Sequence, residues 1–387
     1  MRFDIDVIWG RIGEGEVESA CGDWGGGLRV EGLLGMGKER PMEESFPMNG
    51  GNGHYSYIKN SYRQKNAVER AKSMLLRGII ENLDIEQASS SVFTIADLGC
   101  STGPNTFIAV ENIVEGVTQK YKTKSNSNLP EFQVYFNDHT SNDFNTLFAN
   151  FPSNRGYFGA GVPGSFHGRL FPKSSLNFVH SASALQWLSR APQELSDLNS
   201  CVCNRGRIHY ANAPNEVGEA YSNQYAMDME SFLAARAEEI APGGLMAMII
   251  PGRPDGTLPS QFSLSHLFCL IEYSLIDMVN EGLVSKDKLD MFNLPMYSPS
   301  VEELRALVEK NGYFSFAEME IHETSIPLPP AGVCRAGLES FVCKHFGTEI
   351  TEQIFDRYSA KFAELPQGTA AHCSSISLFI LLKRRRI

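Results

Sequence analysis

Two acidic residues stand where two apolar runs break off, and both are placed to accept hydrogen bonds from a ligand. Asp97 comes near the end of Phe93-Thr94-Ile95-Ala96-Asp97-Leu98-Gly99, and the turn Gly99-Cys100-Ser101-Thr102-Gly103-Pro104-Asn105 follows it. Asp138 comes near the end of a second run, FQVYFNDH, residues 132–139. In an open parallel sheet ligands bind at the carboxyl ends of the strands, where a glycine turn lets the backbone come close. This turn is not G-x-G-x-x-G, and it lacks the Lys-Ser/Thr pair of a phosphate-gripping loop. Carboxylates suit a ligand with an ammonium group and ribose hydroxyls better than a phosphate. The competing reading is that Asp97 and Asp138 only cap helices or turns, as such residues often do. Two strand-end acids around one glycine turn favour the ligand. Proton transfer is the other chemistry to weigh. His54, His167 and His180 are candidates by residue type, but spacing couples neither His167 nor His180 to a carboxylate. His180 reads as a packed residue near a strand end and His167 as a loop residue.

These residues need elements to hold them. Residues 66–83, Asn105 to Tyr121, and DMESFLAARAEEIA at 228–241 have helical periods. Strand patterns fall at 93–99, 132–139, 175–185, 243–253, 314–323 and 374–384. Strands alternating with helices imply an α/β fold, a mostly parallel sheet covered on both faces. Residues 256–312 differ: SLSHLFCLIEYSLIDMVNEGL and SVEELRALVEKNG are two helical patterns with no strand between them. The expected organisation is a sheet core from 42–255 and 313–387, an inserted α-helical cap from 256–312 over the substrate pocket, and a disordered extension at 1–41. The extension is rich in Gly and Glu and without a sustained period. Its acidic residues count against a transit peptide.

Composition narrows the partners. A net charge of −11 makes nucleic acid or an anionic membrane a poor default. The eight cysteines, at 21, 100, 201, 203, 269, 334, 343 and 373, form no C-x-x-C pair and no zinc cluster. Without a charged n-region and apolar core at the start, reduced thiols and a cytoplasmic setting are expected. No apolar run approaches the roughly 20 residues of a membrane helix. Lys383-Arg384-Arg385-Arg386 reads as a charged end after an apolar strand rather than a nuclear address.

Five segments carry a specific resemblance: MNGGNGHYSYIKNS (48–61), ADLGCSTGPNTF (96–107), FNDHTSNDFNTLF (136–148), GVPGSFHGRLFP (161–172) and FNLPMYSPS (292–300). In this order they resemble the signature segments of the plant SABATH methyltransferases, collinearly from about Met48 to the C-terminus. That family methylates small acids, salicylic, benzoic, jasmonic, indole-acetic and loganic among them, or ring nitrogens of xanthines. The resemblance implies a Rossmann-like methyltransferase sheet with an antiparallel last strand, and S-adenosylmethionine (SAM) as cofactor. It places cofactor contacts at Tyr57, Ser61, Asp97, Gly99, Cys100, Asn105, Asp138, His139, Ser165 and Phe166. Asp138 would hold the ribose hydroxyls, Phe166 would pack near the adenine, and Asp97 would lie near the methionine end. At 139 the family often has Leu, so the His contact there is this chain's own. A homodimer and a magnesium ion on Asn204, Asp290, Asn293 and the Phe292 main chain are also implied; oxygen ligands suit magnesium.

For the acceptor, the resemblance supplies Gln64 in NSYRQK and Trp187 in SALQWLS as the groups that align a substrate carboxylate. Both are neutral N–H donors, able to orient a carboxylate without quenching its attack. Out of that context Trp187 reads as a core aromatic. A carboxylate has a pKa of about 4 and needs no base. The expected reaction is therefore in-line displacement without one. Methylation of a xanthine-like ring is the alternative, which Gln64 disfavours; a cofactor-binding pseudo-enzyme is a second. Ser183 stands where salicylate-type members have Tyr, and Gln186 where they have Met. A larger and more polar pocket follows, with Pro251 and Phe268 as further wall candidates. FNDH, GRIHY and AGVPGSF are nearest to the loganate-type members. The expected substrate is a bulky, partly polar acid such as an iridoid or a glycosylated acid.

Overall fold

A computed structural model describes residues 46–85, 91–123, 128–197, 200, 202–211, 213–258, 265–326, 328–365 and 373–386. The expected extension 1–41 lies outside the described residues. The strands are β1 (Val92–Leu98), β2 (Glu131–Asp138), β3 (Phe158–Pro163), β4 (Leu176–Ala182), β5 (Ile240–Gly252), β6 (Phe314–Ile326) and β7 (Cys373–Arg384). They form one sheet in the order β3-β2-β1-β4-β5-β7-β6. β1 runs parallel to β2 and β4, β2 to β3, and β4 to β5, while β7 is antiparallel to both β5 and β6. The mostly parallel sheet with an antiparallel last strand is the expected one.

The helices are α1 (Tyr57–Asn60), α2 (Tyr62–Asn82), α3 (Pro104–Lys122), α4 (Phe144–Ala149), α5 (Asn215–Glu239), α6 (Ser265–Asn280), α7 (Lys286–Asp290), α8 (Val301–Asn311), α9 (Ala331–Phe346) and α10 (Thr348–Glu364). Alternation along the strands explains their two-sided burial. Met246, Met248 and Ile250 of β5 join a cluster with α5 and α8, whereas Leu245, Ala247 and Ile249 join one with α2 and α3. Sheets covered on both faces read as near-continuous apolar runs, and GGLMAMIIPGR does. A third cluster unites α6, α7, α9 and α10 through Phe268, Leu275, Leu289, Val342 and Tyr358, with Trp187 and Met296 packed against it.

Several boundaries differ from the sequence pattern for physical reasons. α5 begins at Asn215, well before 228, because its buried face includes Gln224 and Asp228. They bond each other at 3.0 Å, and Asp228 takes the Ser189 N–H at 2.8 Å, which breaks the apolar period. β3, FGAGVP, is a half-exposed edge strand without apolar alternation, and the sequence pattern missed it. α8 shows both terminal signals, a Ser300–Glu303 capping box and Gly312 in the left-handed region at its end. The basic C-terminus is part of the fold. Lys383 bonds the Asn82 carbonyl at 2.8 Å, Arg384 that of Ala237 at 2.8 Å, and Arg385 that of Phe314 at 3.0 Å. Among the described residues no helix is long and apolar enough to cross a membrane.

Candidate active site

The turn after β1 has the close approach its glycine suggested. Gly99 has φ +78°, and a Cβ there would lie 2.4 Å from that of Ala184. The N–H groups of Gly99 and Cys100 both donate to the Asn137 carbonyl, at 2.9 and 3.0 Å. Ser101, also at positive φ (53°), donates its N–H to Asp138 Oδ2 at 2.8 Å. Asp138 Oδ1 accepts the His139 N–H at 2.8 Å. Burial raises the Asp138 carboxyl above its ordinary range, while the N–H bonds from Ser101 and His139 oppose the rise.

Asp97 is buried and fully engaged. It pairs with His180 Nδ1 at 2.6 Å and accepts the Thr106 hydroxyl. His180 is its register partner on the neighbouring parallel strand, so this pairing is a product of sheet register and leaves no mark on sequence spacing. Asn105 donates to the carbonyl and hydroxyl of Ser61 at 3.1 and 3.0 Å, tying the start of α3 to the start of α2. Burial, reinforced by Asp138 and Asp97, pushes the Tyr57 phenol and the Cys100 thiol up. Both stay protonated at neutral pH.

Phe166 is held by a buried clamp from the end of α5. Arg236 pairs with Glu239 at 2.7 Å and donates to the Phe166 and Gly168 carbonyls at 2.8 and 2.9 Å. Glu239 takes the N–H groups of Leu170 and Phe171 at 2.5 and 3.0 Å. Both side chains of the pair are 0% exposed. Ser165 Oγ accepts the His167 N–H at 3.3 Å inside the same loop.

A cavity of about 430 Å³ joins this turn to the acceptor residues. On the turn side its wall includes Tyr57, Gly99, Asp138, His139 and Phe166. Gln64, Ser183, Gln186, Trp187, Pro251 and Phe268 line the other side. Ser61, Asp97, Cys100, Asn105 and Ser165 are not wall residues; those with hydrogen bonds described above brace the ones that are. Pro251 lies within β5.

The acceptor side hangs on the turn after β4. Ser183 has φ +54° and donates its N–H to the Ile249 carbonyl at 2.8 Å. Trp187 forms an isolated antiparallel bridge with Met296, and the Tyr297 N–H reaches the Gln186 carbonyl at 2.8 Å. The distant segment FNLPMYSPS is thereby locked to SALQWLS. Trp187 is half-buried, packed against the helical cluster. Gln64, in the first turn of α2, keeps its Oε1 buried without a partner.

Several wall residues escaped the sequence pattern, and three of them show why. Ala71 and Met74 of α2 line the cavity below Gln64; the helical spacing 64, 67, 71, 74 is the signal that could have found them. His209 had no such signal. Its ring packs against Phe268 at 5.0 Å with the planes tilted by 54°, and it bonds the Met296 carbonyl through Nε2 at 3.0 Å. Burial lowers its pKa to about 4, so it is neutral at physiological pH.

The residues named for magnesium do converge. Asn204, Asp290, Phe292 and Asn293 are all buried. Asn204 Nδ2 donates to Asn293 Oδ1 at 3.0 Å, and Asp290 Oδ1 accepts the Gly206 N–H at 2.6 Å. Asn204 Oδ1 is a buried acceptor with no partner. An orphaned buried oxygen, on a side chain that bonds Asn293, fits a hard cation. Among the described residues no group of three His, Cys, Asp or Glu side chains forms a metal cluster.

Comparison with known proteins agrees with this geometry. Residues 43–385 match a family described as SAM dependent carboxyl methyltransferase. Loganic acid O-methyltransferase of Catharanthus roseus is 43% identical over 83% of this chain and 89% of its own length. Farnesoic acid carboxyl-O-methyltransferase of Arabidopsis thaliana is 38% identical over 89% of this chain and 100% of its own. A solved loganic acid methyltransferase with SAH superposes with a TM-score of 0.80 at 41% identity, covering 88% of this chain and 99% of that one. The chain therefore belongs to the SAM-dependent carboxyl methyltransferases of the SABATH type, enzymes that methylate the carboxylates of small-molecule acids.

Proposed function

We propose that Gln64 and Trp187 hold the substrate carboxylate against the cofactor and that methyl transfer proceeds without a general base. Bound SAM supplies a methyl group activated by its sulfonium charge. A carboxylate oxygen forms the new bond to that methyl carbon while the carbon–sulfur pair returns to sulfur. A methyl ester and S-adenosylhomocysteine result, and no proton moves. The protein's task is alignment and desolvation, which bring the reacting atoms to about 3 Å. Asp138 would take the ribose hydroxyls and Phe166 the adenine edge, with Tyr57, His139 and the Gly99 backbone completing that wall. Asp97, Ser61, Cys100, Asn105 and Ser165 would act at or just behind it.

The observation that carries this reading is that Gln64 and Trp187, far apart in sequence, face one cavity with the glycine turn and Asp138. His180 is engaged by Asp97. In the same reading the cap over the acceptor, expected from 256–312, keeps α6 and α7, gives up α8, which packs with α5 and β5, and takes in α9 and α10. Asn204, Asp290, Asn293 and the Phe292 carbonyl would hold magnesium as a structural ion, and the working unit is a cytoplasmic homodimer, on the strength of the family resemblance. The acid is bulky and partly polar. Ser183 leaves space where a ring would stand, Gln186 offers an amide, and a loganic acid methyltransferase is among the similar proteins.

The test is methyl transfer from labelled SAM to a panel of salicylate, jasmonate, farnesoate, indole acetate and loganate, with xanthines as controls. Ester formation that is lost in Trp187→Ala and Gln64→Ala supports the reading. Product with a xanthine alone, or an ester rate unaffected by both substitutions, overturns it.

A further inference from the structure

On the acceptor wall, two buried hydrogen-bond acceptors have no donor. Gln186 Nε2 donates to the Ser183 carbonyl at 2.7 Å. A carbonyl can only accept, so this contact fixes the amide orientation and leaves Oε1 as the second atom. Gln186 Oε1 is buried and unpartnered. His209 repeats the pattern: Nε2 faces the Met296 carbonyl at 3.0 Å and must carry the hydrogen. Nδ1 is buried and unpartnered too. Tyr210, Tyr221 and Phe268 surround the imidazole. They offer no counter-charge, so Nδ1 is a bare lone pair. The two side chains are 8% and 3% exposed, and both line the cavity.

One segment brings them together. Gln186 binds the Tyr297 N–H through its own carbonyl, and His209 binds the carbonyl of the preceding Met296. Trp187 bridges to the same Met296. The segment that positions Trp187 therefore also positions both acceptor residues, in the wall of the cavity that Trp187 lines. A buried acceptor left unmade costs the full desolvation of that atom, and these two line one cavity where a ligand's donor could satisfy them.

We propose that Gln186 and His209 form a hydroxyl-recognition subsite, which selects acids bearing a neutral O–H donor on the ring beyond the carboxylate. This rests on the carboxyl-methylation reading and adds the chemistry of the substrate's other end. A site built to bond a hydroxyl discriminates strongly against the analogue lacking it, because its own polar atoms are then stranded. An apolar acid of the same size would enter and strand both acceptors. The rival explanation is a resident water bridging the two atoms, which would leave the pocket indifferent to a substrate hydroxyl.

The experiment compares kcat/KM for cyclopentane- and cyclohexanecarboxylates with and without a ring hydroxyl, in the full-length protein saturated with SAM. Wild type is expected to prefer a hydroxylated member by at least about tenfold. His209→Phe and Gln186→Leu should each bring that ratio toward one by improving the unhydroxylated acid relative to its partner, with S-adenosylhomocysteine affinity unchanged. Gln186→Leu is an independent route should His209→Phe fold poorly. A ratio near one in wild type, or one that both substitutions leave intact, overturns the subsite and favours the water. Methylation of no acid, with cofactor still bound, instead overturns the carboxylate reading and the subsite with it.

Discussion

On the turn side of the cavity, Asp97 and Asp138 have both carboxylate oxygens engaged, by Thr106, His180, Ser101 and His139. On the acceptor side Gln64, Gln186 and His209 each keep a buried polar atom without a partner. Among the turn-side wall residues the unpartnered atom is a hydroxyl, Ser101 Oγ, which rotates to suit a ligand at little cost, while the unpartnered amide oxygens of Asn137 and Asn142 lie behind that wall. One side is therefore pre-set for a ligand that never changes. The other, on the subsite proposed above, would be completed only by the molecule it selects. The physical lesson is that binding and selection place different demands on a wall: rigid, satisfied charges hold a constant cofactor, whereas stranded neutral acceptors penalise the wrong acid.

The sharpest way to break this contrast is to loosen the satisfied side. Arg236→Met would leave Glu239 charged and unpaired and would release the Phe166 and Gly168 carbonyls. Breaking such a buried pair costs about 3–5 kcal/mol. A lower melting temperature and weaker SAM binding are expected together in calorimetry. If cofactor affinity is unchanged while stability falls, the clamp is structural only and the contrast weakens.

A pH experiment tests the stranded side. The pKa of His209 is depressed to about 4 from 6.5. The unfolded chain therefore binds the proton first as pH falls, and stability contributed by this group drops between 6.5 and 4. The loss reaches about 3 kcal/mol at the low end. His209→Phe should remove that part of the slope in denaturant titrations run at several pH values. An identical slope in wild type and variant would mean that the imidazole is not desolvated.

Somewhat smaller effects are expected from the aligners. Removing one N–H donor to a charged group costs about 1.5–3 kcal/mol. Trp187→Ala and Gln64→Ala should therefore each lower kcat/KM by roughly 10- to 150-fold, with SAM affinity retained. Loss of SAM binding in either would move that residue to the cofactor side. The smallest effect is a null: with an acid already ionised, kcat should stay flat from about pH 6 to 9. A rise with an apparent pKa near 7 would restore a general base to the mechanism.

The residues of the glycine turn were legible because local sequence makes the turn. Asp97-Leu98-Gly99 announces a strand that breaks, and Gly99 stands where φ is +78° and no Cβ fits. Capping at Ser300 and Gly312 was equally local. α5 was read short because buried polar partners, Gln224 and Asp228, erase an apolar period. β3 was missed because an exposed glycine-rich edge carries none. His209 and the Asp97–His180 pair were illegible for a different reason. Each depends on which strand or segment lies alongside, and no spacing records that.

Whereas the two neutral donors, Gln64 and Trp187, came only with the family resemblance, the sequence by itself determined the alternation of strands and helices and the glycine turn after β1. It could do so because propensity, glycine geometry and side-chain chemistry act over a few residues. Only the tertiary structure decided which atoms remain unpaired. His209 Nδ1 is left without a partner because Nε2 is committed to the Met296 carbonyl, about 90 residues downstream in the chain. That pairing is set by packing and register, and packing is a property of the whole chain.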